Sequence, residues 1–304
     1  MAKHEAEIGT VGWLGSGLMA TPMIRRQLAA GHRVRVWNRT REKIQPLIDA
    51  GAVAADSPAE IGAACEHVLM CLMDATAVEQ TVFGEGGLAS AGSHLRSRIL
   101  VDHSSIRPDA TRAFAMRLHA LGGVAWIDAP VSGGVIGASN GSLAIMAGGD
   151  ADALAKVAPL LQCYAGQLTL MGPVGAGQTT KLINQILVCS AMTTIAESVA
   201  LAQAAGIDAG KLPAALAGGW ADSKPLQVLG PRMANGYETS IGALSTLLKD
   251  IDTALDLARS LNCALPMAAS AQQLLRLMSM RGLGDADPAE LLSLYTSTSQ
   301  SPRR

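Results

Sequence analysis

The stretch Gly12-Trp13-Leu14-Gly15-Ser16-Gly17-Leu18-Met19-Ala20 constrains this chain most, because it closes an apolar run and opens a helical one through Gly-x-Gly-x-x-Ala. Gly15 permits a tight turn, Gly17 lets a pyrophosphate approach the backbone, and the small Ala20 keeps the helix close to the strand. Such a strand needs parallel neighbours, and the sequence offers them. β-type runs at 8–14, 33–37, 67–72, 99–102, 124–128 and 142–147 alternate with helical runs at 18–30, 41–50, 58–64, 77–82, 108–121 and 151–161. That alternation predicts an α/β architecture, a Rossmann-type doubly wound parallel sheet. Gly31, Gly51 and Gly122 follow helical runs where a left-handed C-cap is expected.

Beyond Gly177 the β-type runs stop. A run rich in Ala, Leu, Ile and Met spans 178–205, and further helical runs follow at 211–217, 226–233, 244–261, 266–281 and 288–295. The first is long enough to be an interdomain helix. The expected division is a dinucleotide-binding domain over 1–172 and an all-α substrate and oligomerisation domain over 173–304, with a frayed tail at 299–304. A chain of 304 residues suits two domains, and with 49% apolar and 16% charged residues most of it must be packed.

A formal charge of -1 without long charge runs argues against nucleic acid or an anionic membrane as partner. No segment approaches about 18 uninterrupted apolar residues, so no membrane span is expected. The five cysteines, Cys65, Cys71, Cys163, Cys189 and Cys263, show neither pairwise nor metal-type spacing. Reduced thiols and an N-terminus without an apolar secretory stretch suggest the cytoplasm. The histidines, at 4, 32, 67, 94, 103 and 119, lack ligand spacing, so no metal is expected, and His103 reads as a local hydrogen-bonding group.

The turn assigns Gly12, Leu14, Gly15, Ser16, Gly17, Leu18 and Met19 to a dinucleotide, its pyrophosphate on the N-terminus of the following helix. The second strand ends in Asn38-Arg39-Thr40, with Lys43 nearby, where an acidic residue would bind the ribose of NAD. Neutral Asn38 and the guanidinium of Arg39 favour a 2′-phosphate, hence NADP(H) over NAD(H). The alternative is that Arg39 and Arg41 are solvated charges at a helix start.

Four further motifs, 102–108 (DHSSIRP), 128–134 (DAPVSGG), 172–185 (GPVGAGQTTKLINQ) and 248–250 (LKD), follow in an order that resembles the β-hydroxyacid dehydrogenase family. The likeness runs from Gly12 to about Tyr295. It implies that Lys181 is the catalytic acid/base, that Ser132, Gly133 and Gly134 hold a substrate carboxylate, and that Lys249 closes the site from the helical domain. It also implies cofactor contacts for Leu72, Met73, Ser105 and Lys249, and a small hydroxyacid or semialdehyde as substrate.

The chemistry of these residue types agrees with the resemblance. Negative charge grows on a carbonyl oxygen that receives a hydride, so a proton donor must stand beside it. Burial or a second cation brings an ammonium down from about 10.4 toward useful proton exchange, and Lys249 is read as that cation. Asn184 and Gln185, three and four residues after Lys181, share its helix face and orient either the substrate or the lysine. Gln185 and the segment 282–287 resemble the tartronate semialdehyde (2-hydroxy-3-oxopropionate) reductase branch, with the 3-hydroxyisobutyrate dehydrogenase branch as the alternative. Asp250 reads equally as an ion-pair partner, a cap or a catalytic group. Two other readings are an imine reductase, against which Lys181 argues, and a cofactor-binding interaction module that has lost catalysis. The apolar surface of the long helix predicts a homodimer or homotetramer.

Overall fold

The computed structural model describes residues 9–296; Ile8, expected to begin the first strand, and the expected frayed tail at 299–304 lie outside them. The chain divides into two compact units, Met1–Lys181 and Leu182–Arg304.

In the first unit the parallel strands are β1 (Val11–Leu14), β2 (Val34–Trp37), β3 (Val53–Ala54), β4 (His67–Met70), β5 (Ile99–Asp102) and β6 (Ala125–Asp128). Helices α1 (Ala20–Ala29), α2 (Gln45–Ile48), α3 (Pro58–Ala64), α4 (Ala75–Phe83) and α5 (Pro108–Gly122) connect them. β7 (Val131–Ser132), α6 (Gly134–Asn140), β8 (Leu143–Gly148), α7 (Ala151–Gln162) and β9 (Ala165–Gly172) complete the unit. The strand order is β3-β2-β1-β4-β5-β6-β8-β7, with β9 also on β8; β8 runs antiparallel to β6 and β7 and parallel to β9. The order of connection switches direction between β1 and β4, the point at whose carboxyl ends sheets of this kind bind ligands.

Both faces of this sheet are covered, which is why its strands read as apolar runs. Val11, Trp13, Leu69, Ile99 and Val101 pack into the core on one face with Met23 and Ile24 of α1. Leu14, Val68, Met70 and Leu100 pack on the other with Ile61 of α3 and Leu118 of α5. The alternation within single strands is the two-residue period of a pleated sheet.

The structure departs from the sequence reading in several places. β3, β7, β9 and α6 were not expected; β9 is mostly exposed and carries little apolar signal. The helix expected at 41–50 is a 3-10 turn over Arg41–Ile44 followed by α2, with Pro46 in its first turn. The helix expected at 288–295 is a 3-10 segment, Pro288–Leu294. Gly31 and Gly51 do adopt positive φ, but α5 runs through Gly122 and Gly123 takes the left-handed cap at φ 66°. Gly122 serves packing instead, since a Cβ there would sit 2.4 Å from Leu95 Cδ2.

The second unit is all-helical. It contains most of α8 (Ala176–Ala204), then α9 (Leu212–Leu216), α10 (Lys224–Asn235), α11 (Leu244–Ser260) and α12 (Pro266–Met280). Ile195, Ala196 and Val199 of α8 pack with Leu229, Ile251, Leu275 and Met278. Helix α8 is long and apolar enough by length and composition to cross a membrane. It nevertheless carries the polar run Gln178, Thr179, Thr180, Lys181, Asn184 and Gln185.

Candidate active site

The first part of the site is the β1–α1 turn. Gly15 has φ 97°, and a Cβ there would meet the Cys71 carbonyl oxygen at 2.6 Å, so only glycine lets the turn sit against the end of β4. Its N–H donates to the Trp37 carbonyl (2.9 Å). A Cβ on Gly12 would meet Ile61 Cγ2 at 2.4 Å, so Gly12 lets α3 pack close to β1. Gly17, by contrast, faces open space. Leu14 is buried beneath the turn, and Met19 packs against the core at the start of α1.

Asn38 links this turn to the end of β2. The Ser16 N–H donates to its Oδ1 (3.1 Å) and its Nδ2 donates to the Thr40 carbonyl (2.8 Å). Arg39, Thr40 and Lys43 are exposed. Arg41 is committed to Asp56 at 2.6 Å and Arg35 to Glu60 at 2.5 Å, whereas Arg39 makes no ion pair among the described residues.

The second part is the loop after β5. Ser104 accepts the Leu72 N–H on its Oγ (2.9 Å) and so joins the loops that leave β4 and β5. Ser105 is half-buried beside it, and Met73 is exposed. His103 is fully enclosed. Its Nδ1 lies 2.6 Å from the Ala129 carbonyl, its Nε2 lies 2.8 Å from the Tyr164 hydroxyl, and its ring stacks on Trp13. Burial holds its pKa down at about 4, so the ring is neutral. A carbonyl only accepts, which assigns the single ring proton to Nδ1 and makes Nε2 the acceptor of the tyrosine proton. His103 is thus a local hydrogen-bonding group.

Asp102 and Asp128 are in register across β5 and β6, and their environments separate them. Asp128 accepts the N–H groups of Gly175 (2.7 Å) and Gln178 (2.8 Å) at the start of α8. Asp102 accepts the Ser104 N–H (2.9 Å) on one oxygen, and its Oδ2 is buried without a partner. Burial, with the Asp128 charge adding to it, pushes Asp102 up to about 7. Burial raises Asp128 as well, but the N–H groups of Gly175 and Gln178 oppose the rise, so Asp102 is the member of the pair that protonates more readily.

The third part is Lys181, whose Nζ donates to the Val131 carbonyl at 2.9 Å. Val131 and Ser132 form β7, and Gly133 and Gly134 follow with φ 132° and 63°. The lysine therefore lies against the segment expected to hold a carboxylate. These contacts span 50 positions in the chain, and spacing carries no signal for them.

In the second unit, Asn184 Nδ2 donates to Gln185 Oε1 (2.8 Å), Gln185 Nε2 donates to Asp250 Oδ2 (2.7 Å), and Lys249 Nζ lies 3.3 Å from Asp250 Oδ1. The buried Gln185 amide is thus spent on its neighbours. Asp250 is thus an ion-pair and hydrogen-bond partner within the second unit. Among the described residues no group of three or more His, Cys, Asp or Glu is placed to hold a metal.

This geometry has known counterparts. Residues 10–172 match the model for the NAD binding domain of 6-phosphogluconate dehydrogenase, and residues 175–295 match that for the NAD-binding region of NADP-dependent 3-hydroxyisobutyrate dehydrogenase. The 2-hydroxy-3-oxopropionate reductase of Escherichia coli (strain K12) is 35% identical over 282 residues, which cover 93% of this chain and 95% of that protein. The chain belongs to the β-hydroxyacid dehydrogenase family. It is an NAD(P)-dependent oxidoreductase, a Rossmann domain followed by a helical one. A solved 3-hydroxyisobutyrate dehydrogenase from Salmonella typhimurium matches with a TM-score of 0.83 at 26% identity, over 94% of this chain and 99% of that one. A structure in complex with NADP+ and 2-OPP matches with a TM-score of 0.83 at 25% identity, over 94% of this chain and 100% of the other.

The turn of this family member fits a dinucleotide on its own observations. The space in front of Gly17 is open, the Ser16 hydroxyl is buried without a partner, and Leu18 and Met73 are 83% and 84% exposed as large apolar side chains. An anion at the turn and an apolar ring along its rim would satisfy each of them.

Proposed function

We propose that the protein is an NADP(H)-preferring β-hydroxyacid dehydrogenase or semialdehyde reductase that acts on a short carboxylate-bearing substrate, most like 2-hydroxy-3-oxopropionate reductase, with Lys181 as acid/base. The observation that carries this reading is the 2.9 Å bond from Lys181 Nζ to the Val131 carbonyl, one residue before Ser132-Gly133-Gly134. It sets an ammonium beside a segment whose two positive-φ glycines leave backbone N–H groups free of side-chain bulk.

When bound, the nicotinamide exchanges a hydride with the carbon that bears the substrate oxygen. Ser132, Gly133 and Gly134 hold the carboxylate through the hydroxyl and the backbone amides. Lys181 donates to the Val131 carbonyl and, in the reaction, to the substrate oxygen, to which it delivers a proton in reduction. In oxidation the neutral amine takes that proton back. Asn184, one helical turn after Lys181, shares its face of α8. Support for NADP(H) comes from neutral Asn38, tied into the turn, and from Arg39, which pairs with no carboxylate among the described residues. Ile183, Leu187 and Leu201 are 53%, 67% and 72% exposed at spacings that put them on one face of α8, which supports a homodimer or homotetramer.

The test is turnover of NADPH and NADH with tartronate semialdehyde, methylmalonate semialdehyde, succinate semialdehyde, glyoxylate and a cyclic imine, with Lys181→Ala alongside. The expected result is NADPH-dependent reduction of a carboxylate-bearing aldehyde that Lys181→Ala loses by at least about 100-fold. Wild-type rates in Lys181→Ala would remove the proposed acid. Preferential turnover of the imine would overturn the substrate class.

A further inference from the structure

The first turn of α8 is held by groups that belong to neither substrate nor cofactor. The buried Asp128 carboxylate receives the Gly175 and Gln178 N–H groups. The buried Gln178 side chain bridges the loop after β5, donating from Nε2 to the Ser104 carbonyl (2.7 Å) and accepting the Ile106 N–H on Oε1 (3.3 Å). Three residues after Gln178, Lys181 reaches Val131, which lies three residues after Asp128. One short segment of chain, 128–131, therefore grips both ends of the turn: a side-chain carboxylate holds its amides, and a main-chain carbonyl holds its lysine.

Two glycines exist for this contact. A Cβ on Gly148 would lie 2.7 Å from Asp128 Oδ1 and 2.7 Å from the Gly177 nitrogen. A Cβ on Gly177 would lie 2.4 Å from the Met146 carbonyl oxygen and 2.5 Å from that of Asp128. Burying a carboxylate is costly unless hydrogen bonds replace its water, and the helix start supplies them in a geometry that tolerates little displacement.

We propose that Asp128 and Gln178 are positioning residues that fix the first turn of α8, and through it the Lys181 ammonium, on the carboxyl ends of β5 and β6 and the start of β7. Asp128 sets the axial position of the helix start. Gln178 locks the same turn to the loop that carries Ser105, so the two loops at the reacting end move as one body. The consequence for rate rests on the reading of Lys181 as acid/base; the placement does not.

The experiment uses full-length Asp128→Asn and Gln178→Met. Asparagine keeps one acceptor at the helix start, and methionine keeps the volume of Gln178 while leaving the Ser104 carbonyl and the Ile106 amide unpaired. Four quantities are read: acetylation of Lys181 by mass spectrometry, with exposed Lys156 as internal reference; hydrogen exchange of the peptide spanning 172–181; kcat; and cofactor Kd. The expected result in Asp128→Asn is about tenfold faster labelling and exchange and about ten- to hundredfold lower kcat, with cofactor Kd within about twofold. Gln178→Met changes labelling and exchange in the same direction. Faster labelling with unchanged kcat would leave the placement standing and overturn Lys181 as acid/base. Unchanged labelling and exchange in both variants would overturn the proposal, whatever happens to kcat.

Discussion

Replacing Asp102 by asparagine tests whether this carboxyl is carried neutral in the folded protein. Asp102 is completely buried in register with Asp128, and it is raised from 3.8 to about 7. The folded state therefore binds its proton more tightly than the unfolded chain does. Stability from this group is fully present below the unfolded value and is lost as pH rises through the folded one. At about 1.4 kcal/mol per unit the whole span is worth about 4 kcal/mol, of which about 2.5 kcal/mol falls between about pH 5 and about pH 8. Asparagine imitates the neutral acid, so Asp102→Asn escapes this loss. Its new amide hydrogens find no partner where Oδ2 lies, which costs about 1–3 kcal/mol at every pH, so the informative quantity is the slope. Urea denaturation of the two proteins, followed by the fluorescence of buried Trp13 and Trp126, should show their stability difference shifting toward the variant by about 2.5 kcal/mol from about pH 5 to about pH 8. Parallel curves would show that Asp102 is ionised throughout and that the pairing argument is wrong.

Arg39→Asp should raise KM for NADPH about ten- to hundredfold, the loss of a charge-assisted contact and the gain of a like charge, while KM for NADH holds or falls; an unchanged ratio of the two would exclude Arg39 as a 2′-phosphate ligand. Leu187→Glu places a charge in the exposed apolar face of α8 and should shift the light-scattering mass toward the monomer; a monomeric wild type at micromolar concentration would end the oligomer proposal.

The parts of the fold that were legible in the sequence share a physical cause. Strands β1, β2, β4, β5 and β6 are buried on both faces or one, so their apolar runs stand out, and Gly15 of the first turn is dictated by backbone geometry that no other residue satisfies. What stayed hidden was either short or long-range. β7 has two residues, and α6 begins at a positive-φ glycine and contains another glycine with Val, Ile and Ser, so its residue preferences point away from a helix. Asp128 and Gln178 could be noted within motifs, yet nothing local shows that Gln178 reaches Ser104, 74 positions away. Likewise the residue type at 185 suggested an orienting amide, and only the packing of α11 shows that the amide is spent on Asp250.

The neutral ring of His103 ties the positions around it together over evolutionary time. Its Nε2 needs a donor, and Tyr164 is that donor; its face needs Trp13, whose Nε1 needs the Gln27 carbonyl oxygen, whose own amide needs the Leu160 carbonyl. Exchange of the tyrosine for phenylalanine strands a lone pair in the core, so sequence change in this neighbourhood should arrive as paired replacements at 103 and 164 rather than as single steps. The floor beneath the dinucleotide turn should in that sense be inherited as a block.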